Sequence, residues 1–318
     1  MIEVIVMRKQ LEAQDIFSYE LRRSDGAPLP PFSAGAHVDV CIREGLTRQY
    51  SLCNHPEEQH RYLIGVLKDP NSRGGSAALI DAVGEGGRIH ISEPRNHFPL
   101  VHEAKRSLLF AGGIGVTPIL CMAERLAHVG SAFEMHYCSR SASRAAFVSR
   151  IQSSSFSDQV HLHFDDGAKE QLLNAASVLA KPVPGTHLYV CGPTGFMDHV
   201  LKTAKDCGWP EDQVHREYFA APAQADSADN DSFDVKIASS GQVFNIPSDK
   251  SIITALSAHG IKIPIACESG VCGTCITRVL EGEPDHRDVL FTEEEKAAND
   301  QFTPCCSRSK SRMLVLDL

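Results

Sequence analysis

Cys267-Glu268-Ser269-Gly270-Val271-Cys272-Gly273-Thr274-Cys275 is the stretch on which the reading of this chain turns. Its cysteines follow a Cys-x4-Cys-x2-Cys spacing, and Cys305 comes about thirty residues later, the arrangement of plant-type 2Fe-2S ligation. A loop that wraps three thiolates around two irons has to be tight, and Gly270 and Gly273 let its backbone approach the sulfides and turn amide N–H groups toward them. A zinc knuckle would need paired Cys-x2-Cys units and tetrahedral closure, and the chain offers one such pair. Cys267, Cys272, Cys275 and Cys305 are the expected ligands. Cys306 is the rival for the fourth place. In extended chain adjacent side chains point to opposite faces, so both thiols do not easily reach one iron, and Cys306 is expected to pack inward as a small hydrophobe.

Outward from this loop the chain reads as modular. The unit that carries it begins at Phe233 with a hairpin, Phe233–Ile237 and Gln242–Ile246 around Ser240-Gly241, followed by a short helix from Ser251 to His259. The preceding stretch from Ala220 to Ser232 is small and acidic with nothing to bury, and reads as a linker. From Ser107 to Phe219 strands alternate with glycine turns and helical stretches: Leu108–Ala111, Phe133–Tyr137, Val160–Phe164 and His187–Cys191 are the strands. That alternation implies a parallel, doubly wound sheet. Residues 1 to about 100 read as short alternating strands, such as Ala36–Ile42 and Arg61–Val66, in an antiparallel barrel pattern. The expected fold is therefore multidomain: a β-barrel over 1–101, an α/β domain over 102–221, a linker over 222–232 and an α+β ferredoxin-type domain over 233–318.

Two further motifs suggest cofactor sites. Phe110-Ala111-Gly112-Gly113-Ile114-Gly115-Val116-Thr117-Pro118 runs from a strand through a glycine turn into a helix, with Thr117 as the expected N-cap and Pro118 at the first helical position. Such a helix start offers unpaired N–H groups to a pyrophosphate, although the G-x-G-x-x-G fingerprint is not met. The last strand ends in Val190-Cys191-Gly192-Pro193-Thr194-Gly195, which would bring Cys191 to the carboxyl edge of the sheet; a buried apolar thiol is the plain alternative. On the barrel, Arg48-Gln49-Tyr50-Ser51 and Ser72-Arg73-Gly74-Gly75-Ser76 could supply what a flavin needs. Those needs are a flat wall, a donor near the ring, a guanidinium and a helix start for the phosphate. An ordinary strand and turn would carry the same residues.

Composition narrows the classes. The chain has 318 residues, 42% hydrophobic and 22% charged, a globular balance with room for two or three cores. A formal charge of −9 disfavours nucleic acid and fits a cationic protein partner. Met1 to Arg8 shows no basic region followed by a long apolar one, and the apolar run Leu108–Ala123 is broken by glycines and Pro118. A cytoplasmic protein without membrane association is expected. Eleven cysteines in a chain of this size point to ligation or buried thiols rather than disulfides.

Arg-x-Tyr-Ser, Gly-Gly-Ile-Gly-x-Thr-Pro, Cys-Gly-Pro and a C-terminal plant-type ferredoxin motif together resemble the phthalate dioxygenase reductase type of the ferredoxin-NADP reductase superfamily. The layout is also that of vanillate O-demethylase reductases. The likeness covers essentially the whole chain, including Pro94-Arg95-Asn96-x-Phe98-Pro99-Leu100 and Asp285-His286-Arg287-Asp288. It implies FMN held by Arg48, Tyr50 and Ser51, by Val66 and Leu67, and by the turn Arg73, Gly74, Gly75 and Ser76, with Phe219 packed on the ring. It implies NADH held by Gly113, Ile114, Gly115, Thr117, Cys191, Gly192 and Pro193, with Ser51, Thr117 and Cys191 at the reacting atoms. Hydride would pass to the flavin, and single electrons would leave through the 2Fe-2S cluster to the Rieske centre of a separate oxygenase. The first cysteine of Cys305-Cys306-Ser307-Arg308 would be the ligand.

Asp165, after the third strand, matches a family acid near the adenine ribose and would repel a 2′-phosphate, favouring NADH, whereas Ser139-Arg140 could hold one. Acids from Glu281 to Asp300, Asp288 among them, are the expected docking face for the acceptor. A solvated face with a Thr292–Glu295 capping box is the alternative. A monomer is expected. The competing functions are a reductase for a cytochrome P450 or another haem acceptor, and an iron–sulfur redox sensor that is not an enzyme.

Overall fold

A computed structural model describes residues 1–70, 74–219 and 231–318. Arg73 of the expected phosphate turn and residues 222–230 of the expected linker lie outside the described residues. The chain divides into two compact units, the first Met1–Phe219 and the second with described residues 231–318.

The first unit opens with six antiparallel strands: β1 (Ile2–Ala13), β2 (Ile16–Arg23), β3 (His37–Arg43), β4 (Leu46–Ser51), β5 (Tyr62–Leu67) and, after helix α1 (Gly75–Ala82), β6 (Arg88–Ile91). Their order is β4-β3-β6-β1-β2-β5, and a bridge between Leu52 and Ile64 links the two ends. Alternation drives the closure. In Arg88-Ile89-His90-Ile91 only the isoleucines are buried, and they join Val4, Val6, Val38, Val40, Tyr62 and Ile64 in one core.

The α/β layer follows with β7 (Arg106–Gly112), α2 (Val116–His128), β8 (Ala132–Ser139), α3 (Val148–Gln152), β9 (Val160–Phe164), α4 (Ala175–Leu179), β10 (Thr186–Cys191), α5 (Thr194–Asp206) and β11 (Val214–Glu217). All pairings are parallel, in the order β11-β10-β7-β8-β9. β7 is buried beyond its first residue because α2 covers one face and α4 and α5 the other. The chain leaves β7 toward β8 and later returns on its other side as β10. The topological switch point, where such sheets take ligands, lies between the carboxyl ends of β7 and β10.

The second unit contains β12 (Phe233–Ile237), β13 (Val243–Ile246), α6 (Ile252–Ser257), β14 (Thr277–Glu281), β15 (Pro284–Asp285), α7 (Glu293–Ala298), β16 (Gln301–Phe302), β17 (Arg308–Ser309) and β18 (Met313–Leu316). The main sheet runs β13-β12-β18-β14-β16, with only β12 and β18 parallel. Ser251 caps α6 by accepting from the Thr254 N–H. Among the described residues no helix is long and apolar enough to cross a membrane.

The Thr117 expectation needs correction. A 3-10 turn at Gly113–Gly115 starts the spiral early, so α2 begins at Val116, with Gly115 as its N-cap. Thr117 lies inside the helix, and its hydroxyl donates back to the Ile114 carbonyl at 3.1 Å.

Candidate flavin, nucleotide and iron–sulfur sites

On the barrel, β4 and the start of α1 converge. Tyr50 Oη and Ser76 Oγ are 3.0 Å apart, and burial pushes the phenol up to about 12, so it stays a neutral hydroxyl. The Arg48 side chain lies over the first residue of α1: a Cβ on Gly75 would stand 2.4 Å from Arg48 Nε. Gly74 has φ +81°, a conformation that favours glycine. Guanidinium, hydroxyls and helix start thus meet in one place, as a phosphate end requires. Val66 and Leu67 end the neighbouring strand β5, Val66 buried and Leu67 partly so.

At the sheet edge the two glycine turns abut. A Cβ on Gly115 would stand 2.3 Å from the Cys191 carbonyl oxygen, and one on Gly192 would stand 2.9 Å from Gly112 Cα. Only glycine allows that approach, which brings the Gly113–Thr117 turn beside Cys191-Gly192-Pro193. Cys191 is fully buried, and desolvation holds its thiol well above the usual range.

The sequence reading missed Glu217. Parallel pairing of β10 with β11 puts it directly across from Cys191, and Ser51 Oγ donates to its Oε2 at 3.4 Å. Burial lifts this carboxyl to about 8, with the Ser51 hydrogen bond opposing. Barrel, sheet edge and last strand therefore contribute Ser51, Cys191 and Glu217 to one spot. Phe219 stands two residues beyond Glu217 and is substantially exposed, with an apolar face available. Asp165 follows β9 and is exposed, its N–H donating to the Ser139 carbonyl, while Asp166 N–H donates to that of Arg140. The acid and the Ser139-Arg140 pair are therefore neighbours.

In the second unit the chain gathers the four expected ligand thiols. Cys267 lies within interaction range of Cys272 and Cys305, and Cys305 of Cys275. The first three are buried and Cys305 is half-buried. Glu268, Gly270 and Gly273 all have positive φ, which curls the loop. Ser269 N–H faces the Cys267 sulfur at 3.4 Å and Thr274 N–H faces that of Cys272 at 3.5 Å. Among the described residues no side-chain group is arranged around a single ion. Four soft thiol donors with amides aimed at them fit a 2Fe-2S cluster. Cys306 turns from the other thiols' centre toward Thr303 and Ser307, with Thr303 Oγ1 at 3.3 Å.

The acidic face also needs correction, because the Asp288 side chain is wholly buried. The Thr292–Glu295 capping box is present, with both reciprocal hydrogen bonds.

Comparison with known proteins agrees with this architecture. The family model described as 2Fe-2S iron-sulfur cluster binding domain matches residues 235–310, and the dimethylamine monooxygenase subunit DmmA-like N-terminal domain matches residues 89–214. The vanillate O-demethylase oxidoreductase of Pseudomonas sp. strain HR199 is 59% identical over the full length of both chains. The structure of phthalate dioxygenase reductase, described as a modular structure for electron transfer from pyridine nucleotides to [2Fe-2S], is 41% identical. It superimposes with TM-score 0.75, covering 99% of this chain and 97% of that one. The chain belongs to the phthalate dioxygenase reductase family. It is an oxidoreductase, the reductase component of an oxygenase system, with flavin barrel, nucleotide layer and 2Fe-2S domain in that order. An intact type IV self-sufficient cytochrome P450 monooxygenase is also similar, at 35% identity and TM-score 0.89, covering all of this chain and 41% of that one.

Proposed function

We propose that this reductase takes electrons from NADH through FMN and its 2Fe-2S cluster to a Rieske-type oxygenase that removes an O-methyl group from an aromatic acid. The observation that carries the reading is the meeting of Ser51, Cys191 and Glu217 where the barrel joins the switch point of the parallel sheet. The 59% identity to a vanillate O-demethylase oxidoreductase supports the choice of oxygenase.

Arg48, Tyr50, Ser76 and the N–H groups at Gly74 and Gly75 hold the flavin phosphate; Arg73 belongs to the same turn in sequence. Val66, Leu67 and Ser51 line the ring, and Phe219 covers it. Gly113, Ile114, Gly115 and Thr117 take the nucleotide, with Gly192 and Pro193 opposite and Asp165 at the ribose. When bound, the flavin accepts two electrons as a hydride and releases them singly, as a one-electron cluster requires. Ser51 supplies a hydroxyl donor at the reacting centre. Glu217, held protonated near neutral pH by burial, keeps that hydroxyl oriented without adding a negative charge. Cys191, a neutral thiol, packs beside them and excludes water. Cys267, Cys272, Cys275 and Cys305 hold the cluster. The domain limits we assign are 1–101, 102–221 and 233–318, with 222–232 as linker, in a monomeric cytoplasmic protein.

The TM-score of 0.89 to a self-sufficient P450 favours a second reading, a haem acceptor. Single-turnover mixing of the NADH-reduced protein with purified Rieske oxygenase and, separately, with a P450 haem domain decides between them. Faster reoxidation by the Rieske protein is expected, and faster reoxidation by haem would overturn the assignment. Mass analysis of the released flavin should give FMN; FAD as the sole species would refute that part.

A further inference from the structure

The segment 284–291 joins the two halves of the thiol basket. β15 pairs with β17, Pro284 opposite Ser309 and Asp285 opposite Arg308, just after Cys305-Cys306-Ser307. Arg287 N–H donates to Ser307 Oγ at 3.2 Å. At the other end Val289 N–H donates to the Gly270 carbonyl at 3.2 Å, within the loop of the first three cysteines. Gly270 has φ +72°, and a Cβ there would stand 2.9 Å from both Cα and Cβ of Asp288 and 2.5 Å from Cys306 Sγ. Asp288 therefore lies directly beneath the loop.

Its side chain is 0% exposed, an environment a carboxylate tolerates only when compensated. Oδ1 accepts from the N–H groups of Leu290, at 3.1 Å, and Phe291, at 2.9 Å. Oδ2 has no hydrogen-bond partner among the described residues and faces His286 Nδ1 at 3.5 Å. His286 is itself almost wholly buried, with neither ring nitrogen hydrogen-bonded among the described residues. Capping the turn needs only one oxygen. The second oxygen, with its imidazole neighbour, puts an electrostatic pair under the cluster loop at a desolvation cost that the turn alone does not require.

We infer that Asp288, with His286 as its partner, is a positioning residue that sets the reduction potential of the cluster, fastening the Gly270 loop and holding a negative charge beneath it. This rests on the reading that Cys267, Cys272, Cys275 and Cys305 carry a 2Fe-2S centre. The sign follows from electrostatics. An electron arriving at the cluster is repelled by a fixed anion in a low-dielectric setting, so the carboxylate lowers the potential, and an imidazole donor to that carboxylate moderates the effect.

The test is a redox titration of the full holoprotein, followed by electron paramagnetic resonance of the reduced cluster. Asp288→Asn keeps the Oδ1 acceptor and removes the charge. Its reduction equilibrium should shift on the order of tenfold toward the reduced form, about 59 mV for a one-electron couple. Asp285→Asn, on a partly exposed carboxylate already paired with Arg287, should stay close to wild type. If Asp288→Asn loses its cluster, His286→Phe carries the test, with an expected shift of the opposite sign. A fully loaded Asp288→Asn protein with wild-type potential, or a His286→Phe protein with unchanged or raised potential, overturns the inference. A wild-type protein without 2Fe-2S absorption would instead sink the cluster reading on which it rests.

Discussion

Gly65→Ala tests how the nucleotide turn is seated. Gly65 lies in β5, immediately before Val66 and Leu67, and its Cα faces the start of α2. An added Cβ would stand 2.6 Å from Thr117 Cγ2 and 3.3 Å from both Ile114 Cδ1 and Phe147 Cε2. Ordinary carbon contacts need about 3.5–4.0 Å, so Thr117 must retreat by roughly 1 Å. Retreat is obstructed. Val116 and Thr117 are buried, the Thr117 hydroxyl ties the turn to Ile114, and Phe147 is held buried with φ +60°. Overpacking of this kind costs about 1–3 kcal/mol. If the Gly113–Thr117 turn binds the nucleotide, that cost appears as roughly 5- to 150-fold weaker NADH binding. Flavin content should be unchanged, since Arg48, Tyr50 and Gly74–Ser76 are not among the atoms crowded by the new Cβ. Steady-state NADH oxidation with ferricyanide, alongside released-flavin assay, measures both. Wild-type KM with full flavin, or lost flavin with wild-type KM, would show that this contact does not position the nucleotide turn.

Cys305→Ser should perturb or abolish the cluster and Cys306→Ser should leave it nearly intact, measured by visible absorption and iron content; the reverse result moves the ligand by one residue. Glu217→Gln should flatten the pH dependence of stability in the flavin-free protein. A carboxyl raised from 4.5 to about 8 by burial costs the folded state stability as pH climbs between those values, at most about 1.4 kcal/mol per pH unit. Thermal melts from pH 5 to 8 should therefore show the variant gaining on wild type as pH rises, and parallel curves would contradict the buried carboxyl. Asp165→Ala should narrow the preference for NADH over NADPH, read as the ratio of kcat/KM values; an unchanged ratio would leave selectivity to other residues.

What the sequence disclosed and what it hid divide by the range of the interactions. The cysteine loop was legible because three of four ligands are local, so the covalent demands of two irons appear as a spacing within nine residues. β9 and β12 kept the bounds read from alternation, since periodicity is also local. The Thr117 cap was misread one step further out: three glycines in four positions permit a 3-10 turn, and that choice depends on the close approach of Gly115 to Cys191. Glu217 escaped entirely. Nothing near it in the chain marks it, and only the β10–β11 register brings it opposite Cys191 and beside Ser51. Asp288 was misplaced for a related reason. In a run of acids its charge reads as solvated surface, while its burial comes from the turn amides of Leu290 and Phe291 and from Gly270 overhead. Ionisable groups that nonlocal packing takes from water are the ones a linear reading assigns to solvent. They are also the groups whose charge state the fold can fix, which is why Glu217 and Asp288 are where substitution should separate electrostatic roles from mere packing.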